Sequence, residues 1–236
     1  MFLSFLITIL DKYYNNKDTI TPIYQIYSHG KYNGKSPEVR DIIDSLNNVP
    51  DYVQRLVNHY GGMAVLFDGR LTDLPTFETY KGKIPETYQR VGWVDTYDTI
   101  SGIFRDNKAY SKINGDDVAD TSLHEYGHLV DYLLGGIISN ESPKFSLEKE
   151  FLDVHSDASK DDFTMLYLSG SGIKKDGKMI SYCDDPEEFF ACAFSEYYQS
   201  KETRETLNWN HLLTKQYFDN LEKRILKFAR NNPHIK

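Results

Sequence analysis

The residues whose chemistry is plainest are two histidines and a glutamate in Thr121-Ser122-Leu123-His124-Glu125-Tyr126-Gly127-His128-Leu129-Val130-Asp131. On a helix of about 3.6 residues per turn, positions i and i+4 share a face, so His124 and His128 can direct both imidazoles at one zinc ion. Reactive zinc sites take three protein ligands and keep a fourth position open. Glu125 is rotated by one position from His124, which aims its carboxylate past the metal toward that open position. There it can take a proton from an attacking water. The His-Glu-x-x-His pattern points to metal-assisted hydrolysis of peptide bonds.

A third ligand must come from farther along the chain. A third histidine six residues after the second is excluded, because position 134 is Leu. The segment Asp184-Asp185-Pro186-Glu187-Glu188-Phe189-Phe190-Ala191 reads as a helix start, with Asp185 as N-cap and Pro186 at the first helical position. Glu188 at the third position can ligate a metal, or it can serve the helix terminus as an acidic capping residue. Glu188 is the first candidate ligand, Glu187 the next, and His155, in a polar segment, a more distant one.

These groups need a scaffold. Ser122 followed by Glu125 predicts a capping box at the start of the metal helix, with Asp120 or Thr121 as other caps, and Gly135-Gly136 predicts its end. Leu123, Tyr126, Val130 and Leu134 make an apolar stripe that would bury one side of it. Gly127 costs about 1 kcal/mol relative to alanine inside a helix, which implies that another backbone or a ligand passes close by.

Upstream, a strand is expected at Ile23 to Tyr27, two helical pieces between Pro37 and His59 broken at Pro50, and a strong strand at Met63 to Phe67. Short strands and a hairpin turn at Asn114-Gly115 are expected between Arg70 and Asp120. Downstream, short helices are expected over Ser146 to Val154 and Asp157 to Tyr167, with a loop from Gly170 to Lys178. Further helices follow from Pro186 and from Leu212 to Phe228. The pattern is α+β: a helical N-terminal part, a small twisted sheet with the metal helix beneath it, and a helical C-terminal part.

Composition narrows the remaining choices. A chain of 236 residues with 40% apolar and 14% aromatic content can build one sizeable core. A net charge of −8 argues against general nucleic-acid binding. The two cysteines, Cys183 and Cys192, do not make a disulfide framework. No apolar run reaches the roughly 20 residues of a transmembrane helix. Phe2 to Leu10 is as hydrophobic as a signal-peptide core but lacks a preceding Lys or Arg and a small-residue cleavage site. Residues 1–15 are accordingly either a leader remnant or an N-terminal element, with residues 16–236 forming the main domain.

Leu123 to Asp131, Pro186 to Tyr198 and the upstream segments Gly69 to Asp73, Tyr80 to Pro85 and Thr96 to Gly102 together resemble the lethal-factor-type zinc metallopeptidases. Within that group they are most similar to the small secreted Pro-Pro endopeptidases. The resemblance implies a zincin-like fold, a Zn2+ cofactor held by His124, His128 and Glu188, and Glu125 as general base. It also implies that Tyr182 assists at the developing oxyanion. Tyr97 stands where the Pro-Pro endopeptidases place a substrate-packing tryptophan, and Ser101 where they have a proline. Tyr97 and Glu187 are thereby the expected substrate-binding residues. Cys192 replaces a glutamate that in the family hydrogen-bonds a zinc histidine, and Asp131 is the acid that could substitute for it.

The implied activity is cleavage of protein or peptide substrates at proline-containing sites by a secreted monomer. The alternative is a catalytically weakened module of the same fold that binds a protein partner in a toxin-like system.

Overall fold

The computed structural model describes residues 23–235 apart from positions 29, 116, 171, 176 and 177. The N-terminal stretch read as a leader remnant or first element lies outside them. Met63-Ala64-Val65-Leu66-Phe67 forms β2 (Met63–Phe67), an inner strand of a four-stranded sheet ordered β1-β2-β4-β3. β1 (Tyr24–Tyr27) and β4 (Lys108–Lys112) flank β2 in parallel, and β3 (Gly102–Arg105) closes one edge antiparallel to β4.

Alternation of side chains along the strands divides the interior in two. Ala64, Leu66 and Ala109 face the main core, whereas Val65, Phe67 and Tyr110 join a smaller cluster with Leu71, Leu74, Phe77 and Ile100. The parallel β1–β2 connection is made by α1 (Pro37–Leu46) and α2 (Asp51–His59), broken at Pro50 as the sequence predicts. Val39, Ile42, Leu46, Val53, Leu56 and Val57 pack from these helices into the main core.

The hairpin turn lies at Asp106-Asn107 between β3 and β4, not at Asn114-Gly115. Both turn residues have positive φ, 51° and 59°, a conformation that Asp and Asn tolerate better than most side chains and that matches the twist of a two-residue hairpin. Asn114-Gly115 instead leads from β4 toward the next helix.

That helix, α4 (Val118–Ile138), is longer at both ends than its local signals indicate. It begins after Asp117, so Ser122 and Glu125 lie inside it and form no capping box. It also continues through Gly135-Gly136. A Cβ at Gly135 would lie 2.6 Å from the Phe145 nitrogen and 2.7 Å from Lys144 Cα, so this glycine admits a crossing chain instead of ending the helix. The apolar stripe Leu123, Tyr126, Val130 and Leu134 is buried as expected.

After α4 come α5 (Lys149–Ala158) and α6 (Asp162–Ser169). The predicted loop at 170–178 contains strand β5 (Gly172–Lys175), which pairs with β6 (Lys178–Ser181). α7 (Pro186–Gln199) starts at Asp185, whose side chain accepts a hydrogen bond from the Glu187 amide, as the N-cap reading requires. An additional short helix, α8 (Lys201–Asn210), precedes the closing α9 (Leu212–Asn231).

α4 and α7 meet at Gly127, where a Cβ would be 3.0 Å from Phe194 Cβ and 3.1 Å from Ala191 Cα. Behind α7, Phe190 packs against Phe145, Phe151, Phe194 and Phe218 at centroid separations between 5.1 and 6.4 Å. Emptying such a position costs about 3–5 kcal/mol, so the wall that carries Glu188 is held firmly.

Candidate active site

The close α4–α7 approach brings three donor atoms together. His124 Nε2 and His128 Nε2 are 3.2 Å apart, and Glu188 Oε2 lies 3.3 Å from the first and 3.0 Å from the second. Ligand atoms at about 2.0–2.1 Å from a tetrahedral zinc are separated by roughly 3.3 Å, so these three atoms fit three corners of one coordination sphere. Among the described residues this is the one group of three or more such side chains close enough to hold an ion. Burial by itself would raise the Glu188 pKa, but the two imidazoles outweigh it and hold the carboxyl below the usual range. It is therefore an anion at neutral pH, as a metal ligand must be.

Glu125 is 7% exposed. Burial pushes its pKa up to about 7, against the opposing pull of His124 and His128. β3 walls this side of the site. A Cβ on Gly102 would meet Glu125 Cγ and Oε1, each at 2.7 Å, and the Phe104 ring lies 6.3 Å from the His128 ring, inclined by 24°.

Tyr182 sits in a short 3-10 turn between β6 and α7, its ring centroid 6.0 Å from that of His124. Burial raises its pKa, and the negative charges of Glu188 and Glu125 raise it further, so the phenol stays protonated and can donate a hydrogen bond.

Outside the triad, Cys192 Sγ lies 3.6 Å from His124 Nδ1, the ring nitrogen facing away from Glu188. The neighbouring Cys183 thiol and burial both hold Cys192 in its neutral form. Asp131 does not substitute for the missing carboxylate. Its two oxygens accept from the Ser146 amide at 2.7 Å and the Ser146 hydroxyl at 2.6 Å. His155 Nε2 is 3.0 Å from the Cys183 carbonyl oxygen and is not part of the triad.

Glu187 neither caps α7 nor joins the three donors; it forms an ion pair with Lys144. Tyr97 packs on Tyr80, with centroids 4.9 Å apart, and lines a shallow pocket with Gly82, Lys83, Glu86 and Gln89.

The aromatic rings gathered around Tyr182 come from a segment the sequence reading passes over. α3 (Glu86–Val91) supplies Tyr88, and Trp93 follows after Gly92, whose φ of 80° ends the helix. Trp93 stacks on Tyr182 at 5.3 Å with 8° between the ring planes. The available signal was modest: one of only two tryptophans in the chain, two residues after a helix and next to a glycine.

The family model described as anthrax toxin lethal factor, N- and C-terminal domain, matches residues 14–221. The chain is 24% identical over 213 residues to a Pro-Pro endopeptidase of Clostridioides difficile (strain 630), a match covering 88% of this chain and 85% of the other. Its structure is similar to that of the Pro-Pro endopeptidase from Paenibacillus alvei, with a TM-score of 0.63 and 23% identity over 84% of this chain and 97% of that one. This structural likeness carries the fold.

Proposed function

From the premise that the chain belongs to the anthrax toxin lethal factor family, we propose that it is a zinc-dependent endopeptidase acting on proline-containing protein segments, Pro-Pro bonds above all. The observation that carries the chemistry is the spacing of His124, His128 and Glu188 at the corners of one tetrahedron, with Glu125 beside them. In this reading residues 16–236 form one catalytic domain, and the three side chains hold Zn2+. A bound zinc ion acts as Lewis acid and lowers the pKa of water toward neutrality.

The protein residues then divide the work. Glu125, buried beside the three donors, takes a proton from the attacking water and delivers it to the leaving amine. Tyr182, kept protonated, donates a hydrogen bond to the oxygen on which charge develops. β3 is the edge strand nearest the base, so in this reading an extended peptide adds to its outer edge, which brings a scissile carbonyl up to the water that Glu125 deprotonates. Tyr97 and Glu187 are the substrate contacts in this reading. Glu187 would have to exchange its Lys144 partner for a group on the substrate. In this reading the protein acts outside the cell, as its resemblance to the secreted Pro-Pro endopeptidases implies, and as a monomer.

The test is a peptide library digested by the zinc-loaded protein beside a Glu125→Gln variant, read by mass spectrometry. Cleavage between prolines by the parent and none by the variant, with equal zinc in both, is the expected result. Undiminished cleavage by the variant would remove Glu125 from the mechanism, and cleavage only at other bonds would discard the proline specificity.

A further inference from the structure

The segment that carries Trp93 is tied to the same helix start that carries Glu188. Arg90 in α3 pairs with Asp185 at 3.0 Å, and Asp185 is the N-cap of α7. The Trp93 amide donates to the Tyr88 carbonyl at 2.9 Å, folding the chain back past Gly92. Tyr88 meets Trp93 edge-on, with centroids 5.0 Å apart at 76°, and meets Tyr182 at 5.9 Å and 80°. Tyr182 is therefore covered by Trp93 on one face and braced by the edge contact with Tyr88, while its own ring tilts over His124.

Tyr182 needs such support. It sits in a turn of three residues and packs at the margin of the main core, not inside it, so the turn alone does not fix its side-chain torsions and its ring neighbours must. We propose that Trp93 is a positioning residue, whose parallel stacking holds the Tyr182 hydroxyl in its productive orientation beside His124 and Glu188. This rests on the role given to Tyr182 above. Offset and edge-to-face aromatic contacts of this kind favour one rotamer by about two- to tenfold, and a misplacement of about 1 Å at a transition-state contact can cost a further large factor in rate. Trp93 makes its contribution through another side chain, so its loss belongs in kcat.

A double-mutant cycle tests this. Trp93→Ala, Trp93→Phe, Tyr182→Phe and Trp93→Ala/Tyr182→Phe are compared by kcat and KM on a peptide the parent cleaves, together with zinc content. Expected are a roughly tenfold loss of kcat in Trp93→Ala with KM within twofold, recovery of most activity in Trp93→Phe, and less than a twofold further loss when Trp93→Ala is added to Tyr182→Phe.

An equal loss from Trp93→Ala in both backgrounds, or a raised KM with unchanged kcat, would overturn the inference and make Trp93 a wall of the substrate groove. A Tyr182→Phe enzyme with full kcat would instead overturn the role of Tyr182 itself. Fluorescence gives a readout without turnover, because the other tryptophan, Trp209, is 86% exposed and can be replaced by Phe. In that background Tyr182→Ala is expected to red-shift the Trp93 emission, and an unchanged spectrum would contradict the stack.

Discussion

Replacing Gly102 by alanine should disable the enzyme while leaving its metal in place. A Cβ at position 102 would lie 2.7 Å from both Cγ and Oε1 of Glu125 and 2.8 Å from Thr121 Cγ2, about 0.7 Å inside the 3.4 Å at which ordinary contact begins. Two of the possible adjustments are closed. β3 is held by its pairing to β4, with Gly102 opposite Ser111 and Ile103 opposite Tyr110, and Thr121 belongs to the long helix α4. The Glu125 side chain is what can move.

For the general base proposed above, which must stay within hydrogen-bond reach of its proton, a shift of this size is worth about ten- to a hundredfold in kcat. The accompanying overpacking costs about 1–3 kcal/mol of stability. The assay is kcat and KM on a cleaved peptide, with zinc stoichiometry and a thermal melt on the same preparation. Gly135→Ala is the control: its Cβ would strike the backbone at Lys144 and Phe145, near the other end of α4, so it should lower Tm while the folded fraction keeps its kcat. Wild-type kcat in a folded Gly102→Ala protein would refute the reasoning, because the base would then not be confined by β3.

Other perturbations follow from the same contacts. Cys192→Ala removes the thiol at His124 Nδ1 and is expected to weaken zinc affinity by about tenfold or more, measured by chelator competition; affinity equal to the parent's would show that the thiol does not support the ligand. Glu148 is 4% exposed, and burial alone would raise its pKa, yet hydrogen bonds from Arg224 at 2.6 and 2.8 Å hold it below the ordinary 4.5. A folded-state pKa depressed in this way contributes stability that is present above 4.5 and lost as pH falls through the lower, folded value. Glu148→Gln should therefore lower Tm near neutrality and flatten its decline in acid; an unchanged acid limb would assign the decline to other carboxylates.

Helix periodicity alone makes His124, Glu125 and His128 legible, since i and i+4 must share a face wherever the helix lies. Glu188 is less so, because a glutamate in the first turn after an Asp-Pro start satisfies the helix terminus whether or not a metal is near. Only the packing of α7 on α4 brings it to the histidines. The glycines show the same limit. Gly127 is readable as a close approach, but Gly135-Gly136 carries the local signature of a helix end that the crossing of Lys144 and Phe145 overrides. Between Arg70 and Gly102 there is little hydrophobic period, so that region takes its shape from tertiary contacts. For that reason the tryptophan stacked on Tyr182 had no pattern to announce it, whereas Tyr97 drew attention through resemblance.

The contact at Gly127 has a consequence for the protein's history as well as its chemistry. The two helices that present the three donor atoms are joined by backbone-close packing at Gly127, and α7 is backed from behind by a layer of phenylalanines, so their pairing does not depend on an ion. A chelator should thus act on such a molecule as an off-switch, not a denaturant. By the same logic, a descendant that exchanged His124 or Glu188 for inert side chains would retain its shape. A scaffold of this construction can shed its reaction and keep its surface, which leaves selection free to reuse that surface for recognition.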